Sequence, residues 1–264
     1  MIDYHGRAAL VTGAGSGIGK AIAEALAARG ARVVLADIDA GVKAAAEGIG
    51  ARATAIVCDL AEPAAAGRLI EESHRTHGRL DLVCSNAGIG RGKRLLKEDF
   101  DDEAVARLFQ VNLFSGLRLA QAYVRAIEGG TTRGRFMFTG SENSLSVPSA
   151  VKGSGLGLYA ATKHALLIAA EWLRDELAAA DKPVDLHVLM PGAVYTPLVA
   201  RRLPDPAMAP PELGLIMPER CAEIALVGMD KGLFYIPTHA HLAPDMRPRT
   251  EGVAAALKAL GIGG

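Results

Sequence analysis

The sequence has little of what marks disulfide-bonded, nucleic-acid-binding or membrane proteins. Among 264 residues only three are cysteines, Cys58, Cys84 and Cys221, and they lie far apart. This argues against a disulfide framework or a metal site. The 29 basic and 29 acidic residues cancel and form no basic tract, and no apolar run is long enough to span a bilayer. We therefore expect a small-molecule substrate, with neither nucleic acid nor membrane as a partner.

The chain does have enough apolar residues for one sizeable core. Half of its residues are hydrophobic and 22% are charged, with no internal linker or repeat. We therefore predict a single domain over residues 1–264. The first residues carry charge and lead directly into an apolar run without the core of a signal peptide, which favours a cytoplasmic protein.

Short apolar runs and helical patterns alternate along the chain. The predicted strands cover residues 8–11, 32–37, 53–59, 80–84, 135–139, 184–190 and 233–236. The predicted helices include a long one over residues 101–127 and a C-terminal one from about residue 249. Near-continuous apolar strands separated by helices are typical of a doubly wound parallel sheet with helices on both faces. In this α/β fold, ligands bind beyond the carboxyl ends of the strands.

A glycine-rich turn follows the first strand, with the sequence TGAGSGIG from Thr12 to Gly19. Glycines at these places permit a tight turn and let backbone N–H groups approach a pyrophosphate, while the next helix supplies partial positive charge. A tight turn can need glycine for backbone reasons alone, but an acidic residue about twenty positions later strengthens the functional interpretation. The turn therefore predicts a dinucleotide-binding site.

That acidic residue is Asp37, at the end of the second strand. Its carboxylate can accept hydrogen bonds from ribose hydroxyls and would repel the 2′-phosphate of NADP. No cation is adjacent in the sequence, although Lys43 could reach in from the next helix, and aspartate is also common in turns. The predicted cofactor is NAD.

Tyr159 and Lys163 lie four residues apart at the start of a helical pattern. That spacing puts both side chains on one helix face. A phenol with a pKa of roughly 10 is a poor base near neutral pH, but a fixed cation beside it favours the phenolate. The pair is a candidate proton-transfer device, although a solvated helix face produces the same spacing.

In this order and spacing, six motifs resemble the short-chain dehydrogenase/reductase family, in its classical branch. They are TGAGSGIG, SNAG at residues 85–88, Asn112 in the long helix, a serine after the fifth strand, YAATK at 159–163 and PGAVYT at 191–196. The resemblance covers essentially the whole chain. It implies a Rossmann-type fold with a seven-stranded sheet, a nicotinamide cofactor and oxidoreductase activity on a secondary alcohol or ketone of largely apolar character.

The resemblance also implies the site residues. A catalytic tetrad falls on Asn112, Ser141, Tyr159 and Lys163. Asp59 would contact adenine, and Thr196 the nicotinamide amide. The cofactor-binding residues implied are Gly13, Gly15, Ser16, Gly17, Ile18, Gly19, Asp37, Asp59, Leu60, Asn86, Ala87, Gly88, Tyr159, Lys163, Pro191, Gly192, Val194 and Thr196. Those assigned to the substrate are Ser141, Asn143 and Tyr159.

Two departures from the family pattern concern serines. Ser85 stands where the family usually has a first asparagine, which leaves Asn86 in place. The catalytic serine has three candidates, Ser141, Ser144 and Ser146. Ser141 directly follows the fifth strand and is preferred, whereas Ser146 has the family's usual distance from Tyr159.

Other interpretations stay open for several residues. Asn112 could be a structural amide, since a buried amide needs partners in any case, and Asp59 a turn residue ahead of Pro63. His239 and His241 have no spacing typical of a metal site. An epimerase or dehydratase, an NADPH-dependent reductase, and a nucleotide-binding regulator without turnover are the alternative functions.

Two further expectations concern the region after the sixth strand and assembly. Five prolines between residues 197 and 211 disfavour a long helix there, so residues from about 193 to 217 are predicted to form a lid over the substrate. The resemblance implies a homo-oligomer, a tetramer or a dimer, through the helices that carry Asn112 and Tyr159.

Overall fold

Seven parallel strands form the central sheet of the computed structural model, which describes residues 2–130, 133–201 and 203–262. The ends of the predicted domain, at Met1 and residues 263–264, and one position of the predicted lid, Arg202, lie outside the described residues. The strands are β1 (Ala8–Thr12), β2 (Arg32–Asp37), β3 (Ala53–Val57), β4 (Leu82–Ser85), β5 (Gly134–Thr139), β6 (Val184–Met190) and β7 (Tyr235–Pro237). Their order is β3-β2-β1-β4-β5-β6-β7, which confirms the predicted Rossmann-type sheet.

Helices cover both faces of this sheet. They are α1 (Gly17–Ala28), α2 (Val42–Ile49), α3 (Ala65–His77), α4 (Glu103–Phe109), α5 (Ser115–Ile127), α6 (Gly157–Ala179), α7 (Pro197–Ala200), α8 (Pro218–Asp230) and α9 (Leu242–Ala259). Successive strand residues point to opposite faces: Val33 of β2 packs in one hydrophobic core with α1, α2 and α8, while Val34 packs in the other with α3, α5 and α6. Two buried cores therefore hold the sheet, and its strand ends are left for a site.

The long helix predicted over residues 101–127 is present as a continuous helical segment over residues 103–127, but it is not a regular α-helix throughout. A π-helical stretch, Gln110–Phe114, lies between α4 and α5. The wider π turn inserts an extra residue and re-aims the side chains around it, a feature frequent at functional sites. Asn112 lies in this stretch.

The C-terminal helix begins earlier than predicted. The predicted start is about residue 249, but α9 begins at Leu242 and contains Pro248, whose missing N–H removes one helical hydrogen bond. Other boundaries differ by a few residues: β3 ends at Val57, α3 begins at Ala65, and β4 and β7 are displaced by about two residues.

Candidate active site

A cleft of about 360 Å³ runs along the carboxyl ends of the strands. Residues at the carboxyl ends of β1 to β6 and at the start of α7 form part of its wall. The carboxyl ends of the strands are where parallel sheets bind their ligands. The wall consists of Gly13, Ser16, Gly17, Ile18, Asp37, Ile38, Cys58, Asp59, Leu60, Asn86, Ala87, Gly88, Ile89, Arg107, Val111, Thr139, Gly140, Ser141, Tyr159, Lys163, Pro191, Gly192, Val194, Thr196, Pro197, Leu198 and Val199.

The glycine turn brings α1 close to β4. Gly13 has a φ of 63° and Gly17 a φ of 55°, the left-handed region that favours glycine. A Cβ on Gly13 would lie 2.8 Å from the backbone of Ala87. Ser16, the N-cap of α1, makes no side-chain cap hydrogen bond, so the first-turn N–H groups are available to an anion at the cleft. The turn therefore fits the pyrophosphate of a dinucleotide.

Asp37 is half-buried at the edge of the cleft. Its Oδ2 accepts a hydrogen bond from the N–H of Gly15 at 2.9 Å, and its Oδ1 accepts one from Asp39 at 3.0 Å. Gly15 itself lies behind the wall. The carboxylate is fixed on the turn and keeps lone pairs free for further donors.

Asp59 is paired with a cation that sequence reasoning missed. Its Oδ2 accepts a hydrogen bond from Arg107 of α4 at 2.9 Å, and its Oδ1 accepts one from Ala61 at 2.9 Å. Partial burial raises the pKa of Asp59, but these two bonds outweigh it and leave the pKa below its usual value. Arg107 comes from 48 residues along the chain, so no local pattern signals the pair. The cleft therefore contains a cation beside Asp59.

Asn86 ties the end of β4 to the glycine turn. Its amide nitrogen donates to the carbonyl oxygens of Thr12 at 3.1 Å and Gly13 at 3.3 Å. The hydroxyl oxygen of Thr12 accepts hydrogen bonds in return from the N–H groups of Asn86 and Ala87. The two strands and the turn thus form one hydrogen-bonded unit beneath the cleft.

Lys163 is buried on α6, with its ammonium 5.8 Å from the centre of the Tyr159 ring. It donates a hydrogen bond to the carbonyl oxygen of Thr139 at 2.8 Å. Burial disfavours its charged form and lowers its pKa to about 8. The structure thus brings the Tyr159 ring and the Lys163 amine into one cleft, as the spacing predicts.

Burial of the phenol is the main reason that the pKa of Tyr159 lies above its usual value. The hydroxyl of Ser141 lowers this pKa and the negative charge of Glu142 raises it. Lys163 is not among the causes of this shift, so the predicted lowering of the Tyr159 pKa by Lys163 is not found in this structure.

The hydroxyl oxygen of Ser141 accepts two hydrogen bonds from Asn143, from the backbone N–H at 3.2 Å and from the side-chain amide at 3.3 Å. Both lone pairs are then used, so the hydroxyl proton is left to donate toward the cleft. Ser144 accepts a hydrogen bond from the N–H of Ser141 at 3.1 Å. Of the residues that the structure describes, Ser144, Ser146 and Asn143 are not among those that line the cleft, whereas Ser141 is.

Asn112 lies behind the wall. Its Oδ1 accepts a hydrogen bond from the N–H of Ile89 at 2.8 Å, and its Nδ2 donates to the carbonyl of Ile89 at 2.9 Å and to Thr162 at 3.2 Å. The π-helical stretch aims this amide at the loop after β4. Gly19 also lies behind the wall, packed on the glycine turn.

Several wall residues were not among the predicted site residues. The residues are Ile38, Cys58, Ile89, Arg107, Val111, Thr139, Gly140, Pro197, Leu198 and Val199. Most of them are apolar or contribute backbone. Except for Thr139 and Arg107, each is the sequence neighbour of a predicted site residue or lies in the predicted lid, and Arg107 comes from a helical pattern without a motif. In the part of the chain described, no helix is long and apolar enough to span a membrane, and no group of three or more histidines, cysteines and carboxylates is placed to hold a metal ion.

Comparisons with known proteins agree with this geometry. The family model described as short chain dehydrogenase matches residues 7–207. The chain is 40% identical over 207 residues to the 1-deoxy-11-beta-hydroxypentalenate dehydrogenase of Streptomyces arenae, covering 73% of this chain and 69% of that protein.

Two solved structures share the fold. A short-chain dehydrogenase/reductase from Burkholderia phymatum in complex with NAD superposes with a TM-score of 0.84, covering 97% of each chain at 24% identity. A short-chain dehydrogenase from Sphingobium yanoikuyae in complex with NADPH has a TM-score of 0.75 at 26% identity, covering 96% of this chain and 94% of that one. With the family match over most of its length, the chain belongs to the short-chain dehydrogenase/reductase family and is an oxidoreductase of hydroxyl and ketone groups.

Proposed function

We propose that the chain is an NAD-dependent dehydrogenase of secondary alcohols of largely apolar character, which also reduces the corresponding ketones. The observation that carries this is the carboxylate of Asp37, held at the cleft by the N–H of Gly15 at 2.9 Å. A fixed anion there accepts hydrogen bonds from the ribose hydroxyls of NAD and repels the 2′-phosphate of NADP.

A second candidate is an NADPH-dependent carbonyl reductase, and Arg107 is the observation in its favour. Its guanidinium lines the cleft and could receive a phosphate. Asp59 already accepts a hydrogen bond from it at 2.9 Å, however, and that pairing offsets its positive charge. The uncompensated charge at this end of the cleft is that of Asp37, which supports NAD.

The cleft is suited to proton transfer beside a hydride acceptor. When bound, the nicotinamide supplies that acceptor for the hydride of the carbinol carbon. Ser141 donates its hydroxyl proton to the substrate oxygen, and Tyr159, as phenolate, takes the proton of the alcohol. The amine of Lys163, 5.8 Å from the centre of the Tyr159 ring, would hold the nicotinamide ribose, and below pH about 8, where it is charged, it would favour the phenolate.

Asn112 completes the proposed tetrad from behind. A Cβ on Gly88 would lie 3.5 Å from the Oδ1 of Asn112 and 3.7 Å from the Nζ of Lys163, so Gly88 leaves room between the two polar groups. A water held there would pass the proton from the site to solvent.

The substrate end of the cleft is apolar. Ile89, Val194, Leu198 and Val199 line it, and α7 lies in the segment predicted to be a lid. Such a wall favours a hydrocarbon-rich alcohol over a sugar or a charged metabolite, because burying unpaired polar groups is costly. A screen of alcohols and ketones with both nicotinamide cofactors would identify the substrate.

The test is formation of NADH from NAD with a panel of secondary alcohols, by wild-type protein and by Tyr159→Phe. We expect the variant to lose turnover and to retain binding of NADH. Tyr235→Phe is the matched control, because Tyr235 is an exposed tyrosine of β7 that donates to Glu171. If Tyr159→Phe keeps more than a few per cent of the rate, Tyr159 is not the base.

The same assay separates the remaining alternatives. An epimerase or dehydratase would consume substrate without net NADH, and a regulator without turnover would bind the cofactor and form no product. The dehydrogenase is supported by Ser141, Tyr159 and Lys163, which line one cleft, and by Asn112 in the π-helical stretch nearby.

We further propose a homo-oligomer, a tetramer or a dimer, in the cytoplasm, where nicotinamide cofactors are available. Ile168 and Trp172 lie one turn apart on α6 and are 53% and 67% exposed, and Phe114 beside α5 is 41% exposed. Pairing with a second copy would bury these side chains. Light scattering at micromolar concentration tests the state: we expect a multimer that Trp172→Glu weakens, and a wild-type monomer would contradict the proposal.

A further inference from the structure

Glu142 lies in the turn that begins at Ser141, and its carboxylate is buried against the start of α9. Its Oε2 is 2.7 Å from the Nε2 of His241, the N-cap residue of that helix. The side chain of Glu142 is only 9% exposed, so water screens its charge weakly. A buried carboxylate bound to one imidazole thus stands next to the proposed catalytic serine.

The same segment also supports the loop after β6. The backbone N–H of Glu142 donates to the carbonyl of Pro191 at 2.7 Å. The hydroxyl of Thr238, three residues before His241, accepts a hydrogen bond from the N–H of Gly192 at 3.1 Å. Movement of the first residues of α9 would therefore displace both the turn of residues 141–144 and the loop after β6.

We propose that Glu142 and His241 are positioning residues whose buried pair sets the charge beside Tyr159 and thereby the pH range in which Tyr159 can act as a base. The proposal rests on the proposed function, because it assigns that role to Tyr159. The pair lies outside the tetrad and neither residue lines the cleft within the described part of the chain.

The electrostatic direction follows from the signs of the charges. The turn of residues Glu142–Ser144 packs on α6, the helix that carries Tyr159. A carboxylate in that turn disfavours the phenolate, so the negative charge of Glu142 adds to burial, the main cause, in raising the pKa of Tyr159. The hydrogen bond between His241 and Glu142 partly offsets that carboxylate. Removing Glu142 should therefore favour the phenolate, and removing His241 alone should disfavour it.

Other titratable and charged groups lie near Tyr159 or near the Glu142–His241 pair. Lys163 is 5.8 Å from the Tyr159 ring and carries a positive charge only below its lowered pKa of about 8. The ring of His239 is 5.3 Å from that of His241, and its Nε2 is 2.9 Å from the carbonyl of Gly214. From α9, Arg249 reaches His164, the residue after Lys163. We expect Glu142→Gln to leave these side chains in the same positions, because glutamine has nearly the same shape as glutamate.

Direct titration of Tyr159 tests the proposal without depending on turnover. The ultraviolet absorbance of tyrosinate is followed against pH in the full chain, and the curve of the Tyr159→Phe variant is subtracted. Glu142→Gln keeps the shape and a hydrogen bond to His241 but removes the charge. We expect it to move the Tyr159 curve to lower pH by roughly half a unit to one unit.

The pH profile of kcat/KM for alcohol oxidation should move in the same direction. At acidic pH, kcat/KM falls below its plateau value. There, kcat/KM of Glu142→Gln, expressed as a fraction of its own plateau, should be about three to ten times the corresponding fraction for the wild type. Glu176→Gln, which removes the same charge from an exposed position of α6, is the matched control and should leave both curves unchanged.

His241 is tested by a double-mutant cycle with leucine, which has no hydrogen-bond donor. His241→Leu should move the Tyr159 curve to higher pH in the wild type and leave it unchanged in the Glu142→Gln background. Should Glu142→Gln fail to fold, the single His241→Leu variant decides, since an unmoved or lowered curve there overturns the pairing.

Curves for wild type and Glu142→Gln that coincide would overturn the inference. That result is distinguishable from failure of the proposed function. Turnover by Tyr159→Phe would remove Tyr159 as the base while the titration still reported the effect of Glu142, whereas an inactive Tyr159→Phe with coinciding curves would remove only the role of Glu142.

Discussion

The carboxylate of Asp37 accepts a hydrogen bond from the backbone N–H of Gly15 across 2.9 Å. The end of β2 and the glycine turn are therefore one hydrogen-bonded unit, in which the anion and the predicted phosphate-binding backbone keep a fixed distance. A cofactor that extends from one to the other meets a preorganised site, so less ordering is needed on binding.

Asp37→Ala should narrow the preference for NAD over NADP by about 1–3 kcal/mol, because it removes both the acceptor for the ribose hydroxyls and the charge that repels a phosphate. The measurement is kcat/KM for the two cofactors. Asp39→Ala is the control, since Asp39 is an exposed carboxylate two residues away and should change the ratio little. A wild-type preference for NADP would contradict the assignment of Asp37.

Residues 197–215 should be cut first by proteases in the absence of ligands. An isolated β-bridge between Val194 and Ile216 closes the base of this segment. Within the described residues 203–215, the regular structure after α7 consists of two short 3-10 turns. Met208 is 74% exposed. Saturating NAD and substrate should protect it, because Leu198 and Val199 line the cleft. Mass spectrometry of the fragments locates the cuts, and equal cleavage with and without ligands would argue against a lid.

Burial of Lys163 should make the protein more stable as pH rises from about 8 to about 10. The folded pKa of this amine is about 8 and its usual value is 10.5. Between these values the unfolded chain binds more protons, so the free energy of unfolding increases with pH. The rise in the free energy of unfolding that Lys163 contributes is at most about 3 kcal/mol. Denaturant unfolding at several pH values measures it, and Lys163→Met should lack this part of the rise; identical slopes in both proteins would show that the amine is not perturbed.

The parallel sheet and the place of the cleft could be predicted from the sequence because they rest on local signals. Apolar runs mark buried parallel strands, and the turn from Gly13 to Gly19 has glycines where φ is positive or where a Cβ has no space. The spacing of Tyr159 and Lys163 is likewise a property of one helix. These features need no knowledge of distant contacts.

The remaining features depend on contacts between distant residues. The π-helical stretch at Asn112 is stabilised by hydrogen bonds to Ile89, 23 residues away, and its local sequence has good helical periodicity. Arg107 pairs with Asp59 across 48 residues and His241 with Glu142 across 99. Single-sequence patterns show the residue types but not such pairings, so the charge arrangement around the cleft had to come from the structure.

Gly19 offers a test of the packing beneath the site. A Cβ there would lie 2.2 Å from the carbonyl oxygen of Gly13 and 2.5 Å from the Nδ2 of Asn86, so α1 would have to move away from the turn. We expect Gly19→Ala to destabilise the fold by about 1–3 kcal/mol and to weaken NAD binding, despite the higher helix propensity of alanine. Gly48→Ala is the matched control: Gly48 lies in α2, and a Cβ added there would have no other atom within 4 Å, so this change should stabilise by about 0.5–1 kcal/mol. Denaturant unfolding and NAD titration of both variants measure these effects. If Gly19→Ala were as stable as Gly48→Ala and bound NAD normally, the close approach of α1 to the turn would not be needed for the cofactor site.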